Sequence, residues 1–223
     1  MTASSTLTTA RQPRTANLAL KVFGSAATLS VAGFFVFKYV IDLYLHYNEA
    51  AYNDTGPNHW AMRGWLLIHM TAGTVTLLTG PFQFWTGFRR RYARLHRWMG
   101  RLFLGGVAVG SVSAYRMAIG TALGWGWGFA LLMMTTAWFT SAAMAFYAIS
   151  RGRVQIHKEW MVRTYVVTFA FVFIRVLSDY YPGNRLPVSD RDVTYAWASW
   201  VLPLLFTELI LQLRRMRSSV STV

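Results

Sequence analysis

Three of the five histidines in this 223-residue chain stand where chemistry would want them: His69 inside an apolar stretch, and His96 and His157 at the openings of two others. The run RRRYARLHRWMGR, residues 89–101, packs six arginines around His96. A second string echoes part of it. HRWMGR at 96–101 and HKEWMVR at 157–163 share the order His, basic residue, Trp-Met, one residue, Arg, with one insertion. Both open stretches that run in the same direction through a membrane, as a duplicated helical hairpin would. Two imidazoles at similar depth on parallel helices can ligate one b-type haem, with Arg97, Arg101, Lys158 and Arg163 neutralising its propionates. Two other readings of the same residues stay open. One is a positive-inside stop signal whose arginines hold lipid phosphates; the other is a quinone or acidic lipid head held by the same groups.

His69 lies in WLLIHMTAGTVTLLTGPF, a few turns from His96 and His157 in depth, so one haem cannot use all three. Gly73 follows it by four residues, and Gly80 and Gly87 recur at sevens from there. A stripe without side chains admits either a neighbouring backbone or a flat ligand. His69 is therefore read either as a helix-packing histidine bonded to a nearby Ser or Thr, or as an outer haem ligand paired with Met133 or Met134. Arg175 and Asp179 form an i, i+4 pair deep in FVFIRVLSDYY. Arg175 either snorkels outward or faces His69 in an outer polar pocket. Glu208 sits in an apolar run with no basic residue on its own face, which predicts a partner on another helix or a protonated carboxyl. Lys38, Asp42 and His46 read as a solvated stripe with one local ion pair, and His59 as a loop residue.

The elements that must carry these groups are membrane helices. Hydrophobic residues make up 54% of the chain, mean hydropathy is +0.31, and the apolar residues come in blocks of about 20, the length that crosses a bilayer core. The fold class is all-α: a polytopic bundle of six transmembrane helices at roughly 22–45, 62–87, 101–121, 126–149, 160–180 and 193–213. One domain, 22–213, lies between a tail at 1–21 and a tail at 214–223. Sixteen Lys and Arg fall on one side of this arrangement and four, Arg63, Arg116, Arg185 and Arg191, on the other. That bias puts both termini in the cytoplasm and the protein in the inner, cytoplasmic membrane. Tyr39, Tyr44, Tyr47, Trp60, Trp65, Trp125, Trp127, Tyr180, Tyr181, Trp197 and Trp200 make an outer aromatic belt, with Asp54 among the outer acids. The tail carries Arg11, Arg14 and Lys21 without an acid, a composition shared with organellar presequences; it reads here as a cytoplasmic lead into an uncleaved signal anchor.

The net charge of +14 gathers at helix ends and so points to anionic lipid, not nucleic acid. The absence of cysteine excludes thiolate-held clusters and thiol nucleophiles. No phosphate-cradling loop, H-E-x-x-H or nucleophile elbow is present, which argues against a hydrolase or a nucleotide-driven pump. Gly106-x-x-x-Gly110 predicts a close helix contact, whereas Gly120, Gly124 and Gly128 mark the turn in GTALGWGWG.

Together IHMTAGTVTLLTGPFQF, RLHRWMGRLFL and IHKEWMVRTYVVTFAFVFIR resemble an uncharacterised, mainly bacterial family of multi-helix membrane proteins, domain of unknown function 2306. The resemblance runs over about residues 60–180 on His69, Gly73, Gly80, Pro81, His96, Arg97, Gly100, Arg101, His157, Trp160, Met161, Arg163 and Arg175. It implies a membrane protein with intramembrane and boundary histidines, supplies no activity, and leaves the first and last spans outside. Two functions follow from the residues themselves. One is a small haem-b electron-transfer protein working with quinone or a partner complex. The other is a non-catalytic accessory or scaffold subunit of a larger membrane assembly.

Overall fold

The computed structural model describes residues 14–46, 48–50, 59–180 and 187–220. Arg11, Tyr47, Asp54, Tyr181 and Arg185 of the reading above lie outside the described residues. Regular structure among those described is helical throughout. Helix α1, Arg14–Phe35, passes through a π-helical turn, Val36–Ile41, into a last turn at Asp42–Leu45. Then come α2 (Arg63–Phe84), α3 (Thr86–Arg91), α4 (Ala93–Ile119), α5 (Trp125–Ser150), α6 (Val154–Thr168), α7 (Ala170–Tyr180) and α8 (Val188–Val220). Four stretches are long and apolar enough to cross a membrane: Ala93–Ile119, Trp125–Ser150, Val154–Tyr180 and Asp190–Arg217.

Helix α2 carries four threonines, of which three satisfy their hydroxyls within the helix, while that of Thr74 is buried without a partner. Thr71, Thr76 and Thr79 each donate to a carbonyl of their own helix, at Leu67, Gly73 and Val75. Such back-bonding satisfies a hydroxyl without water. Pro81 lies inside α2 near its end, and the helix stops at Trp85, where the backbone turns extended (φ −80°, ψ 102°). Two of the tight turns depend on glycine. Gly124, before α5, has φ 89°, and Gly152, between α5 and α6, has φ 68°, backbone that side chains resist.

Between lipid-embedded helices the hydrophobic effect supplies little, so close contact and hydrogen bonding must hold the bundle. The centre lies where α4, α5 and α6 meet: Phe103, Val107, Trp138, Ala145, Met161 and Val167 are all buried. Glycines bring the neighbouring backbones in. A Cβ on Gly106 would lie 2.8 Å from the Thr76 methyl and 3.3 Å from the Ala72 carbonyl of α2, and one on Gly110 would lie 3.0 Å from the Trp138 ring. This is the contact that the Gly106-x-x-x-Gly110 spacing predicts. Gly80 has a different use: the Tyr165 ring occupies the place where its side chain would be, and the Tyr165 hydroxyl donates to the Leu77 carbonyl at 3.1 Å.

Ion pairs dock the last helix. Arg163 of α6 reaches Glu208 of α8 through Nε (3.0 Å) and Nη2 (2.5 Å), while Gln212 donates to the other Glu208 oxygen at 2.6 Å. Arg215 bonds the buried Glu159 carboxylate. Glu208 is thus paired across helices, the first of its two expected states. At the opposite end, Lys38 and Tyr39 in the π-turn of α1 both bond Asp179 of α7. This corrects the expected Arg175–Asp179 pair: Asp179 turns to α1. Two adjacent donors thus share the one carboxylate, and Arg175 acts on it only at longer range. Asp42 and His46 do form a local pair, with His46 Nδ1 3.1 Å from Asp42 Oδ1.

Candidate histidine site

Each of the repeat histidines occupies the first turn of its helix. Tyr92 (φ −125°, ψ 55°) breaks the chain away from α3, and the His96 amide then donates to the Tyr92 carbonyl at 2.9 Å. Gly152 reverses the chain after α5, and the His157 amide donates to the Arg153 carbonyl at 2.9 Å. Further along the same two helices, Phe103 and Tyr165 meet with ring centroids 6.2 Å apart. Helices whose early turns and later turns both meet run parallel, as the repeat requires.

At the shared end three side chains converge. His157 Nδ1 lies 2.8 Å from the Ala145 carbonyl of α5. A carbonyl can only accept, so Nδ1 carries the proton and the Nε2 lone pair is left for another partner. The His96 and His157 rings are close enough to act on one another electrostatically, and Arg89 and Arg97 add positive charge beside His96. His96 Nδ1 is buried and has no hydrogen-bond partner. Gln83 of α2 reaches the same face: its Oε1 is 3.2 Å from where a Gly100 side chain would begin, and Gly100 is one turn beyond His96. Gln83 Nε2 is likewise buried without an acceptor. Unsatisfied buried polar atoms are costly; Thr74, Ser111 and Trp200 also carry one each, but among the described residues only at this end do two such nitrogens lie near a second imidazole.

His69 is built otherwise. Its Nδ1 lies 3.0 Å from the Gly110 carbonyl of α4, so α2 and α4 are joined by a side-chain bond beside their glycine contact. The Trp138 ring stands edge-on to it at 6.4 Å, and Trp138 Nε1 donates to Thr168 at 2.9 Å. The expected Ser or Thr partner is replaced by a backbone carbonyl, which Ser113 also bonds at 2.9 Å. Met134, one of the two methionines considered beside His69, packs against the Phe103 core.

The remaining residues scatter. Gly73 has open space where a side chain would be. Arg97 is the exception, exposed yet near enough to act on His96, whereas the Arg101 guanidinium lies over the Trp98 ring at 5.3 Å, on another side of α4. Arg163 is engaged by Glu208. Arg175 does not meet His69; it lies 5.6 Å from the Tyr39 ring and 5.5 Å from the Phe171 ring. Its charge also reaches His59, which burial, and secondarily Arg175, hold below the ordinary histidine value. Gln83 and Tyr165 were not singled out by sequence reasoning. Tyr165 lies eight residues after His157 and Gln83 follows the Gly80-Pro81 pair, but neither spacing says which helix each will face.

The family described as Predicted membrane protein (DUF2306) matches residues 66–211. The chain belongs to this family. Its match takes in α8 up to residue 211, so the last span is part of the family unit and not outside it as the motifs alone suggested. All three histidines of interest, Gln83 and Glu208 fall within the DUF2306 region, whereas α1 lies before it. No curated protein and no solved structure matches the chain.

Proposed function

We propose that this DUF2306 member is a six-span protein of the cytoplasmic membrane, both termini inside, that binds one b-type haem at its inner end through His96 and His157 and exchanges electrons with quinone or a partner complex. The observation that carries this reading is the imidazole pair: one ring tied through Nδ1 to a carbonyl, as ligating histidines are oriented, beside another with a buried nitrogen left over. The donor set fits such a group. No cluster of three or more His, Cys, Asp or Glu occurs among the described residues, so a bare metal ion would lack ligands. Two imidazoles suffice for an iron already held by four porphyrin nitrogens. Arg89 and Arg97 are the cations beside His96 suited to propionates, and Gln83 Nε2 supplies a donor for a propionate or a quinone carbonyl. Haem bound there would supply one-electron chemistry; the chain's own share is orientation, burial and charge.

Six spans are supported by α2, whose 22 residues rise about 33 Å, and by α1, whose apolar stretch Ala26–Ile41 continues to Leu45. The excess of basic residues around the α3 and α5–α6 turns supports the orientation.

A second reading, an accessory or scaffold subunit, is favoured by α8. Only 11% of its apolar stretch is buried, which leaves a broad face for another membrane protein or for lipid.

A reduced-minus-oxidised visible spectrum of the detergent-purified protein separates the two. A Soret and a sharp α band, lost in His96→Ala and His157→Ala but kept in His69→Ala, is the expected result. Folded protein, made with haem available, that absorbs nothing beyond the protein band would overturn the haem reading; recovery in a stoichiometric complex would then favour the second.

A further inference from the structure

A groove of about 550 Å³ runs between α2 and α4 on the outside of the bundle, lined by Ile68, Val75, Leu102, Gly105 and Val109 among others, with Arg101 and Trp98 at one end. Two adjacent glycines create it. At Gly106 the missing side chain lets the α2 backbone come close, whereas a Cβ on Gly105 would meet nothing within 4 Å. The helices therefore touch along one line and part along the next, leaving a slot that no side chain of the described residues fills. Arg101 precedes Gly105 by one turn, on the same face, and Val109 lies one turn deeper, so the slot extends about 12 Å into the bilayer from the arginine.

The two ends differ in kind. The wall is aliphatic, but the mouth carries a guanidinium stacked on an indole, an arrangement suited to the level of lipid headgroups. Arg101 makes no ion pair with a carboxylate among the described residues. It closes a run with five further arginines and no acid between residues 89 and 101. A neutral headgroup would leave that charge unanswered; a phosphate bearing a net negative charge would meet it.

We propose that this groove is a specific site for an anionic phospholipid, with one acyl chain along Gly105 and the phosphate on Arg101. The site is separate from the imidazole pair, on another side of α4, and does not depend on haem being bound.

The test is lipid retention on the full chain, measured by native mass spectrometry with phosphatidylglycerol and phosphatidylcholine of identical chains. Arg101→Gln and Gly105→Leu both alter exposed positions, and Gly33→Leu on α1, where a side chain also meets nothing within 4 Å, controls for an added leucine. Wild type is expected to prefer phosphatidylglycerol, and Arg101→Gln to cut that preference about fivefold, the worth of one arginine at an anionic surface. Gly105→Leu should weaken both lipids alike, and Gly33→Leu neither. Equal retention of the two lipids by wild type, an undiminished preference in Arg101→Gln, or full retention in Gly105→Leu would each overturn the proposal.

Discussion

His69 and His157 make the same bond in two places. Each sets Nδ1 against the main-chain carbonyl of a neighbouring helix, Gly110 at 3.0 Å and Ala145 at 2.8 Å. What stands beside the ring differs. His69 has the Trp138 indole, itself anchored to Thr168. His157 has a second imidazole within electrostatic reach, that of His96, which in turn has Arg89, Arg97 and, one turn on, the Gln83 amide near it. The carbonyl bond is common to both, so the proposed division between a structural and a ligand-binding histidine rests on what else surrounds each ring.

The widest separation is expected between the two alanine variants. His157→Ala should abolish cofactor absorbance altogether while the protein still elutes as a folded species. His69→Ala should keep the spectrum and instead lose about 0.5–1.5 kcal/mol of stability, the net worth of one hydrogen bond, since Ser113 still bonds the Gly110 carbonyl, read as an earlier thermal transition in detergent. A spectrum lost in His69→Ala would put both histidines in one functional class and break the contrast.

Next in size is the wall behind His69. Trp138→Phe removes the bond to Thr168 and should cost about 1 kcal/mol. If the indole and imidazole act as one structural unit, its effect and that of His69→Ala will fall short of additive in the double variant, and strict additivity would dissolve the unit.

Topology sharpens the contrast from another side, because the chain has no native cysteine to interfere. Ala122→Cys, on the turn before α5, and Arg153→Cys, on the turn before α6, flank opposite ends of the same helix. A membrane-impermeant maleimide applied to intact spheroplasts should label the first and spare the second until lysis. The reverse pattern would place the imidazole pair at the outer face.

The smallest effect belongs to His59. Burial and Arg175 favour its neutral form in the fold, so its contribution is complete above the ordinary value of 6.5 and is lost as pH falls below it. Between about pH 7 and pH 5 the wild type should lose slightly more thermal stability than His59→Gln; equal slopes would remove the Arg175 neighbourhood as a pH-sensitive region.

Much of this was legible along the chain. Gly106 and Gly110 announced a helix contact, GTALGWGWG a turn that ends at Gly124, with Gly128 lying instead inside α5 against the Ala118 carbonyl, and the echo of HRWMGR in HKEWMVR set two histidines at equivalent first turns. These features depend on neighbours a few residues away, where helical rise and rotation are known in advance. Other pairings were not legible. Lys38 reaches Asp179 across 141 positions, and Arg163 finds Glu208 across 45. Arg163 had been grouped with His157 for a propionate, and Asp179 with Arg175 on its own helix, because a single helix face is all that spacing describes.

The sequence by itself determined that apolar helices would form, where several end, that Gly106 and Gly110 allow close approach and that His96 and His157 open equivalent helices, since each follows from local geometry and the length of an apolar run. Only the tertiary structure decided that Tyr165 fills the space over Gly80, that Gln83 arrives beside His96, and that two neighbouring glycines open a groove under Arg101. Those outcomes rest on the rotation and register of each helix against the next. That choice is made by many small contacts at once, and no single spacing in the chain records it.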